Sequence, residues 1–536
     1  MDPVADLSAA ISESAAALAG DGRVSAPRLE RPPRPDFGDY STNAAMLLAP
    51  TLGEQPRAIA ARLGDALGER LGATVDRVEI AGPGFLNLFM ADRWYVEALA
   101  GILDAGADYG ASSGGEYVLV EFVSANPTGP ITVAAARHAA YGDALSRILA
   151  RAGHRVEREY YVNDAGTQVQ KFGESIRARA RGEEPPEDGY RGDYVTRVAE
   201  RIPGAADADV DELARRGAEL MAGDLSASLE RFRVHMDRFF FEHSLLDSGA
   251  IEAALERLEG VYEHDGAVWL RTTAHGDDKD RPLRRSTGEW TYFAPDIAYH
   301  LDKLERGYDR LIDVWGADHH GYMTRMWAAF EALGVERARL EILIMQLVNL
   351  LEGGQRVQMS KRAGAIATLD ELIDDIGIDA ARWFLTQRSH DTALDLDLEL
   401  ARRQSQDNPV YYVQYAHARI ASILRKAGAE RVEAALRADL RASDESFHTS
   451  ARALVKRLLE LPGEVREAAE RRAPHRITAY ATETAQDFSA FYRDCRVVGA
   501  AEEGGDEDVR IALCVAAQRV LAEALDLAGV EAPESM

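Results

Sequence analysis

The segment Gln355-Arg356-Val357-Gln358-Met359-Ser360-Lys361-Arg362-Ala363-Gly364 gathers residue types that hold a polyphosphate. Lys361 brings a point charge, Ser360 donates a hydrogen bond, and Gly364 lets the backbone approach closely. Charge alone favours a solvated surface loop. A second constellation is the turn Ser124-Ala125-Asn126-Pro127-Thr128-Gly129-Pro130 with a helical pattern after it. The backbone N–H groups at such a helix start are anion donors whatever the side chains are. His138 on that helix, and Asp318-His319-His320 after another apolar run, add polar groups at the same sheet edge.

The elements that must position these residues follow from periodicity. Tyr117 to Phe122 is a short apolar run of buried-strand type, a helix is expected from about Thr132 to Ala152, and Arg155 to Val162 is a second strand. Strand, helix and strand in succession predict a right-handed βαβ unit of a parallel sheet, which binds ligands at the carboxyl ends of its strands. The alternation resumes at Leu311–Trp315 and Leu343–Val348 after a charged, mostly helical interruption, and everything after Glu399 has helical periodicity. Near the start, helix from Ala44 to about Leu71, broken by Pro50 and Pro56, precedes a strand at Val75–Ile80 and a helix at Trp94–Asp104. The run Gly110-Ala111-Ser112-Ser113-Gly114-Gly115 has linker composition. The expected fold is multidomain α/β. A doubly wound, parallel, Rossmann-like catalytic domain spans 115–400 with a helical or mixed insertion at about 190–289, between a small N-terminal α+β domain (1–110) and an all-α C-terminal domain (401–536).

Composition narrows the class. The 536 residues are 46% hydrophobic and 28% charged, an ordinary folded composition. A net charge of −27 argues against a uniformly basic polyanion binder, so any nucleic-acid partner must meet a local patch. Arg402, Arg403, Arg419, Arg425 and Lys426 against Asp407 supply one. The two cysteines, Cys495 and Cys514, build neither a disulfide framework nor a zinc site, and no metal-ligand set is expected. No apolar run has transmembrane length, and the start lacks the pattern of an export signal, so a cytoplasmic protein with no membrane partner is expected.

Met359-Ser360-Lys361 resembles the second signature loop of class I aminoacyl-tRNA synthetases, with Gln358 where that family usually has Lys. Ser124–Pro130 with Tyr160-Tyr161-Val162-Asn163-Asp164-Ala165-Gly166 resembles arginyl-tRNA synthetases in particular. So do Phe37–Asn43, Gly82–Phe85, Gly276–Asp280, Thr291–Ala298, Gly316–Tyr322 and Asn408–Arg419, in the family's own order along nearly the whole chain. The resemblance implies arginine activation with ATP and Mg²⁺, then transfer to tRNA(Arg), by a monomer. It assigns catalysis to Lys361, Ser360 and Met359, with Thr132 and His138 in place of missing groups. ATP would meet Pro130, Thr132, Ala135, Asp318, His319, His320, Lys361 and Arg362; arginine would meet Asn126, Tyr292 and Asp296; tRNA would meet Asn43, Tyr411, Tyr415, Arg419 and Met536. Tyr292 and Asp296, four apart, are expected on one wall of the pocket, where a carboxylate suits a guanidinium; Asp296 alone is also a natural helix cap.

One block departs from the family. Where its members have His-(Val or Ile)-Gly-His after the Pro-Thr-Gly-Pro turn, this chain has Thr132-Val133-Ala134-Ala135. Losing one preorganised donor costs about 2.7–4 kcal/mol. The alternative to an active ligase is therefore a paralogue that binds tRNA without efficient adenylation.

Overall fold

The computed structural model describes residues 3–20, 22, 25–32, 34–357 and 368–536. Its centre is a parallel sheet of β1 (Tyr117–Glu121), β2 (Arg155–Val162), β3 (Arg238–Phe241), β4 (Arg310–Gly316) and β5 (Leu340–Met345), with helix α1 (Val133–Arg151) between β1 and β2 and helix α2 (Phe293–Glu305) before β4. The strand order is β5-β4-β1-β2-β3, so it reverses between β1 and β4. Crevices at the carboxyl ends of such a strand pair are where doubly wound sheets bind ligands.

Both faces of this sheet are covered. Val118, Val120, Ile312 and Val314 pack into one apolar cluster, while Leu119 and Leu311 point to a second on the other side. That double burial explains why the strands read as unbroken apolar runs. The cluster on the first face continues without a break into the N-terminal domain, through Leu86 and Tyr95, and into the C-terminal helices, through Leu458 and Val520. Helix α1 lies close on this face because Gly142 has no side chain, and a Cβ there would come within 2.2 Å of the Phe122 ring.

Around this centre, an antiparallel sheet of Leu29–Glu30, Tyr40–Thr42, Phe85–Met90 and Val75–Ala81 carries helices Pro3–Ala19, Ala44–Leu52 and Pro56–Leu71. The interruption holds helices Asp193–Glu200 and Val210–Arg231, and also strands. Arg238–Phe241 becomes the edge of the central sheet, and Val261–His264, Ala267–Leu270 and Arg281–Arg284 form a small antiparallel sheet. The apolar run expected as one strand at 343–348 is two strands in different sheets, β5 and Val348–Glu352. The chain turns between them because the Gln346 N–H goes to the His390 carbonyl (2.8 Å) and the Leu347 carbonyl accepts the Leu394 N–H (2.9 Å).

The C-terminal domain is helical and includes α3 (Pro409–Ala427), α4 (His475–Asp494) and α5 (Glu507–Leu527). The acidic break before α5 is its start, for Asp506 caps the N–H groups of Asp508 (2.9 Å) and Val509 (3.3 Å). The tail returns along α3, held by Gln414 on the Glu531 carbonyl (2.9 Å) and Arg425 on the Glu534 carbonyl (3.0 Å). Arg382, fully buried, joins this tail to the catalytic domain by donating to Asp143 of α1 (2.5 Å) and to the Phe232 (2.9 Å) and Ala528 (3.2 Å) carbonyls. No helix among the described residues is long and apolar enough to cross a membrane.

Candidate active site

The crevice between the ends of β1 and β4 has two unlike halves. On one side stands the start of α1. Thr132 caps it, its hydroxyl oxygen accepting the Ala135 N–H at 3.2 Å, and its carbonyl accepts the Ala136 N–H at 2.8 Å. Two members of the expected ATP set, Thr132 and Ala135, are thus spent on each other, and the N–H groups of Val133 and Ala134 remain without a protein acceptor among the described residues. Pro130 lies half-buried just ahead of the helix. Residues 358–367, with Met359, Ser360, Lys361 and Arg362, lie outside the described residues. The residues that follow them return here: Thr368 pairs with Thr132 in an antiparallel bridge, and the Leu369 N–H donates to the Ile131 carbonyl at 2.8 Å.

His138 sits one turn further along α1. Burial and the neighbouring Arg137 cation push its imidazole down to about 4, so the ring is neutral near pH 7. It is bonded to the backbone at Val314, at the end of β4, while Nδ1 is buried without a partner. A neutral ring that donates to a carbonyl keeps a bare lone pair on the other nitrogen. The neutral ring of His138 therefore brings no positive charge to a phosphate oxygen. Beyond β4, Asp318, His319 and His320 are exposed, and His319 Nδ1 lies 3.2 Å from Asp318 Oδ1. Asp318 folds back over Gly316, where a Cβ would come within 2.5 Å of Oδ1.

The other half is buried and acidic. Asp296, in the first turn of α2, accepts the Tyr322 hydroxyl at 2.5 Å, and burial raises its carboxyl above the usual range. Glu242, at the end of β3, is buried, bonded to the Tyr161 hydroxyl, and pushed up to about 7 by burial and then by the charges of Asp296 and Asp164. Neither carboxylate forms an ion pair among the described residues. Asp164, next to them, pairs with His243. Glu242 was not among the expected site residues; it falls in the stretch expected as a charged, mostly helical insertion. Tyr292 does not share a wall with Asp296 as expected. It precedes the helix, is 68% exposed, and lines a cleft with Lys279, Arg281 and Arg325, while the Tyr322 hydroxyl draws Asp296 inward. Asp296 makes no capping bond either.

Between the halves runs the turn that follows β1. Val123 and Ser124 have φ of 72° and 40°, a left-handed conformation that costs about 1–3 kcal/mol per non-glycine residue. It persists because Ser124 Oγ donates to Glu121 Oε1 (2.7 Å) and accepts the Tyr161 N–H (3.2 Å). This turn presents Asn126 exposed at the crevice. The Tyr194 hydroxyl from the insertion holds its far side, donating to the Thr128 carbonyl at 2.8 Å.

Farther off, Tyr415, Arg419 and Met536 meet in one cleft of about 320 Å³, with Arg425, Lys426 and Tyr492. Arg419 donates to the Tyr415 hydroxyl (2.7 Å) and lies over the Tyr415 (4.8 Å) and Tyr492 (5.0 Å) rings. Tyr411 stacks on Tyr415 at 6.2 Å but lines the neighbouring cleft with Arg402 and Arg403. Asn43 lines neither cleft; its Oδ1 accepts the Arg28 N–H at 3.0 Å and fastens the first strand.

Comparison with known proteins agrees with this geometry. Residues 5–90 match the arginyl tRNA synthetase N terminal domain and 413–536 the DALR anticodon binding domain. The chain is 44% identical over 542 residues to an arginine–tRNA ligase of Shouchella clausii, covering 97% of this chain and 96% of that one. It is 46% identical over 530 residues to the arginine–tRNA ligase of Geobacillus thermodenitrificans, covering 95% and 94%. The chain belongs to the arginine–tRNA ligase family. Its fold is that of the arginyl-tRNA synthetase of Thermus thermophilus, at a TM-score of 0.78 and 24% identity over 99% of this chain and 100% of that one. For an arginine–tRNA ligase the unlike halves of the crevice make chemical sense, one acidic and one rich in anion donors.

Proposed function

We propose that this chain activates L-arginine with ATP to arginyl-adenylate and passes the arginyl group to tRNA(Arg). The observation that carries the substrate assignment is the pair Asp296 and Glu242, two buried carboxylates that accept tyrosine hydroxyls and have no cationic partner among the described residues. A buried carboxylate without a cation is costly, and a guanidinium removes that cost through paired charge-assisted hydrogen bonds. Asn126 takes the α-amino end, and Tyr292 covers the guanidinium end from the solvent side.

In the first step the arginine carboxylate oxygen attacks the α-phosphorus and pyrophosphate leaves. In the second a terminal ribose hydroxyl of tRNA attacks the adenylate carbonyl and AMP leaves. No protein nucleophile is needed, so positioning and phosphate electrostatics carry the rate. Mg²⁺ enters with ATP as part of that substrate. The N–H groups of Val133 and Ala134, without an acceptor among the described residues, and the Thr132 O–H face developing phosphate charge, and Lys361, Ser360, Met359 and Arg362 are the further partners of the ATP phosphates. His138, Pro130, Asp318, His319 and His320 border the nucleotide. The Tyr415, Arg419 and Met536 cleft with Tyr411 takes unstacked anticodon bases on its rings and phosphates on its cations, and Asn43 contacts tRNA from the N-terminal domain. We read the protein as a cytoplasmic monomer. The domain spans we propose are 1–110, 115–400 and 401–536.

Aminoacylation of tRNA(Arg) with labelled arginine tests the reading, with citrulline as the neutral isostere. Charging by arginine and none by citrulline is expected; equal use of both would remove the carboxylate pair from substrate recognition.

A further inference from the structure

The helix that carries Asp296 and the turn that carries Asn126 are fastened to one buried cation. Lys303 of α2 has no solvent exposure, and its Nζ lies 2.5 Å from Glu121 Oε2 and 2.9 Å from Asp313 Oδ1. Those two carboxylates are register partners on β1 and β4, the strands between which the sheet order reverses. Burial drives the Glu121 carboxyl up; burial also opposes charge on Asp313, but Lys303 and then His300 outweigh it and hold that carboxyl low. Like charges face each other across the strands, and among the described residues Lys303 alone forms an ion pair with both.

Two chains of contacts leave this cation in opposite directions. Through Glu121 Oε1 it reaches the Ser124 hydroxyl (2.7 Å), and with it the left-handed turn that opens onto Asn126. Through Asp313 Oδ2 it reaches His300 Nε2 (2.7 Å), whose Nδ1 lies 2.7 Å from the carbonyl oxygen of Asp296. Neither end can shift against the other without breaking a charged contact in a dry interior, where such contacts are strongest. We propose that Lys303 is a positioning residue that sets the spacing between the two ends of the amino-acid site, and with it the length of the substrate accepted. The proposal rests on the assignment of Asp296 and Asn126 to arginine made above.

The test is ATP–pyrophosphate exchange with arginine and with homoarginine, one methylene longer, in variants whose fold is followed by near-ultraviolet circular dichroism. Lys303→Met leaves two carboxylates unpaired, so it is accompanied by the triple change Lys303→Met, Glu121→Gln, Asp313→Asn, which removes all three charges together. Ser124→Ala cuts only the arm to the turn and leaves the ions in place. The expected signature is a rise of about tenfold in the arginine KM with the ATP KM unchanged and a smaller preference for arginine over homoarginine, falling to about threefold for Ser124→Ala. A folded variant with the native arginine KM and preference would overturn the proposal. So would equal loss towards ATP and both amino acids, which is what a merely structural ion cluster gives. Asp296→Asn separates the two levels: if it leaves the arginine KM unchanged, the site assignment itself fails; if it raises the KM while Ser124→Ala and the triple change do not, only the spacing claim falls.

Discussion

The acidic half of the crevice is made of side chains and the phosphate half largely of backbone. Glu242, Asp313 and Lys303 are buried and Asp296 is half-buried, each bound to named partners, whereas Thr132, Asp318, His319 and His320 are exposed. The difference follows from the ligands. A guanidinium is a flat cation of fixed shape, and only carboxylates set at the right spacing complement it. Phosphate oxygens accept from any N–H, so a helix start supplies donors that no side-chain substitution removes. We expect the acidic half to tolerate substitution poorly, and the phosphate half to work with Thr132 and Ala135 where the family has two histidines.

The contrast breaks first at the loop. Lys361→Ala is expected to lower the exchange rate by at least about 10²-fold with tRNA affinity unchanged, because its charge acts on the transition state; retained activity in a stopped-flow or exchange assay would leave the phosphate half with no charged side chain. Next, Asp296→Asn keeps the shape but loses the charge, and the arginine KM should rise by about tenfold or more. A comparable rise in the ATP KM instead would erase the distinction between the halves.

A pH series sharpens it. Glu242 is pushed up to about 7, so below neutrality it is protonated and offers the guanidinium no charge. The arginine KM should accordingly fall by about tenfold from pH 6 to pH 8, one decade being the limit for a single ionisation centred at neutrality. Glu242→Gln should flatten that profile, and a profile unchanged by the substitution would assign the dependence to another group. The smallest effect is expected in the anticodon cleft, where Arg419→Ala removes one cation and its ring contacts. tRNA affinity should drop by a few-fold and its salt dependence should weaken by about one phosphate, measured by filter binding at several salt concentrations.

How far these features could be read from sequence depended on whether they are local. Strand Arg155–Val162 and helix Val133–Arg151 follow from apolar spacing and a threonine cap, and the structure has them at the expected positions. The pair β5 and Val348–Glu352 was merged into one run because nothing in Leu343–Val348 announces that Gln346 is bonded to His390 across the fold. Glu242 and Lys303 were not legible as site residues for the same reason. Each is an ordinary charged residue in its own segment, and it becomes unusual only when the register of β1 against β4, or the end of β3 against α2, buries it among like or opposite charges. The positive φ of Val123 is of this kind too, since a β-branched residue gives no local sign of a left-handed turn. The acidic run at Glu502–Asp508 is local in both its effects: it separates α4 from α5, and its Asp506 caps α5.

The phosphate half is expected to work without the two histidines. Arginine-dependent ATP–pyrophosphate exchange, measured with and without tRNA(Arg) on the native chain and on Thr132→His, Ala134→Gly, Ala135→His together, tests it directly. Backbone donors at the start of α1 predict clear exchange by the native chain and little gain, or a loss through crowding, on restoration. Exchange at background in the native chain, rising strongly once both histidines are restored, would contradict the account and make the protein a tRNA-binding paralogue.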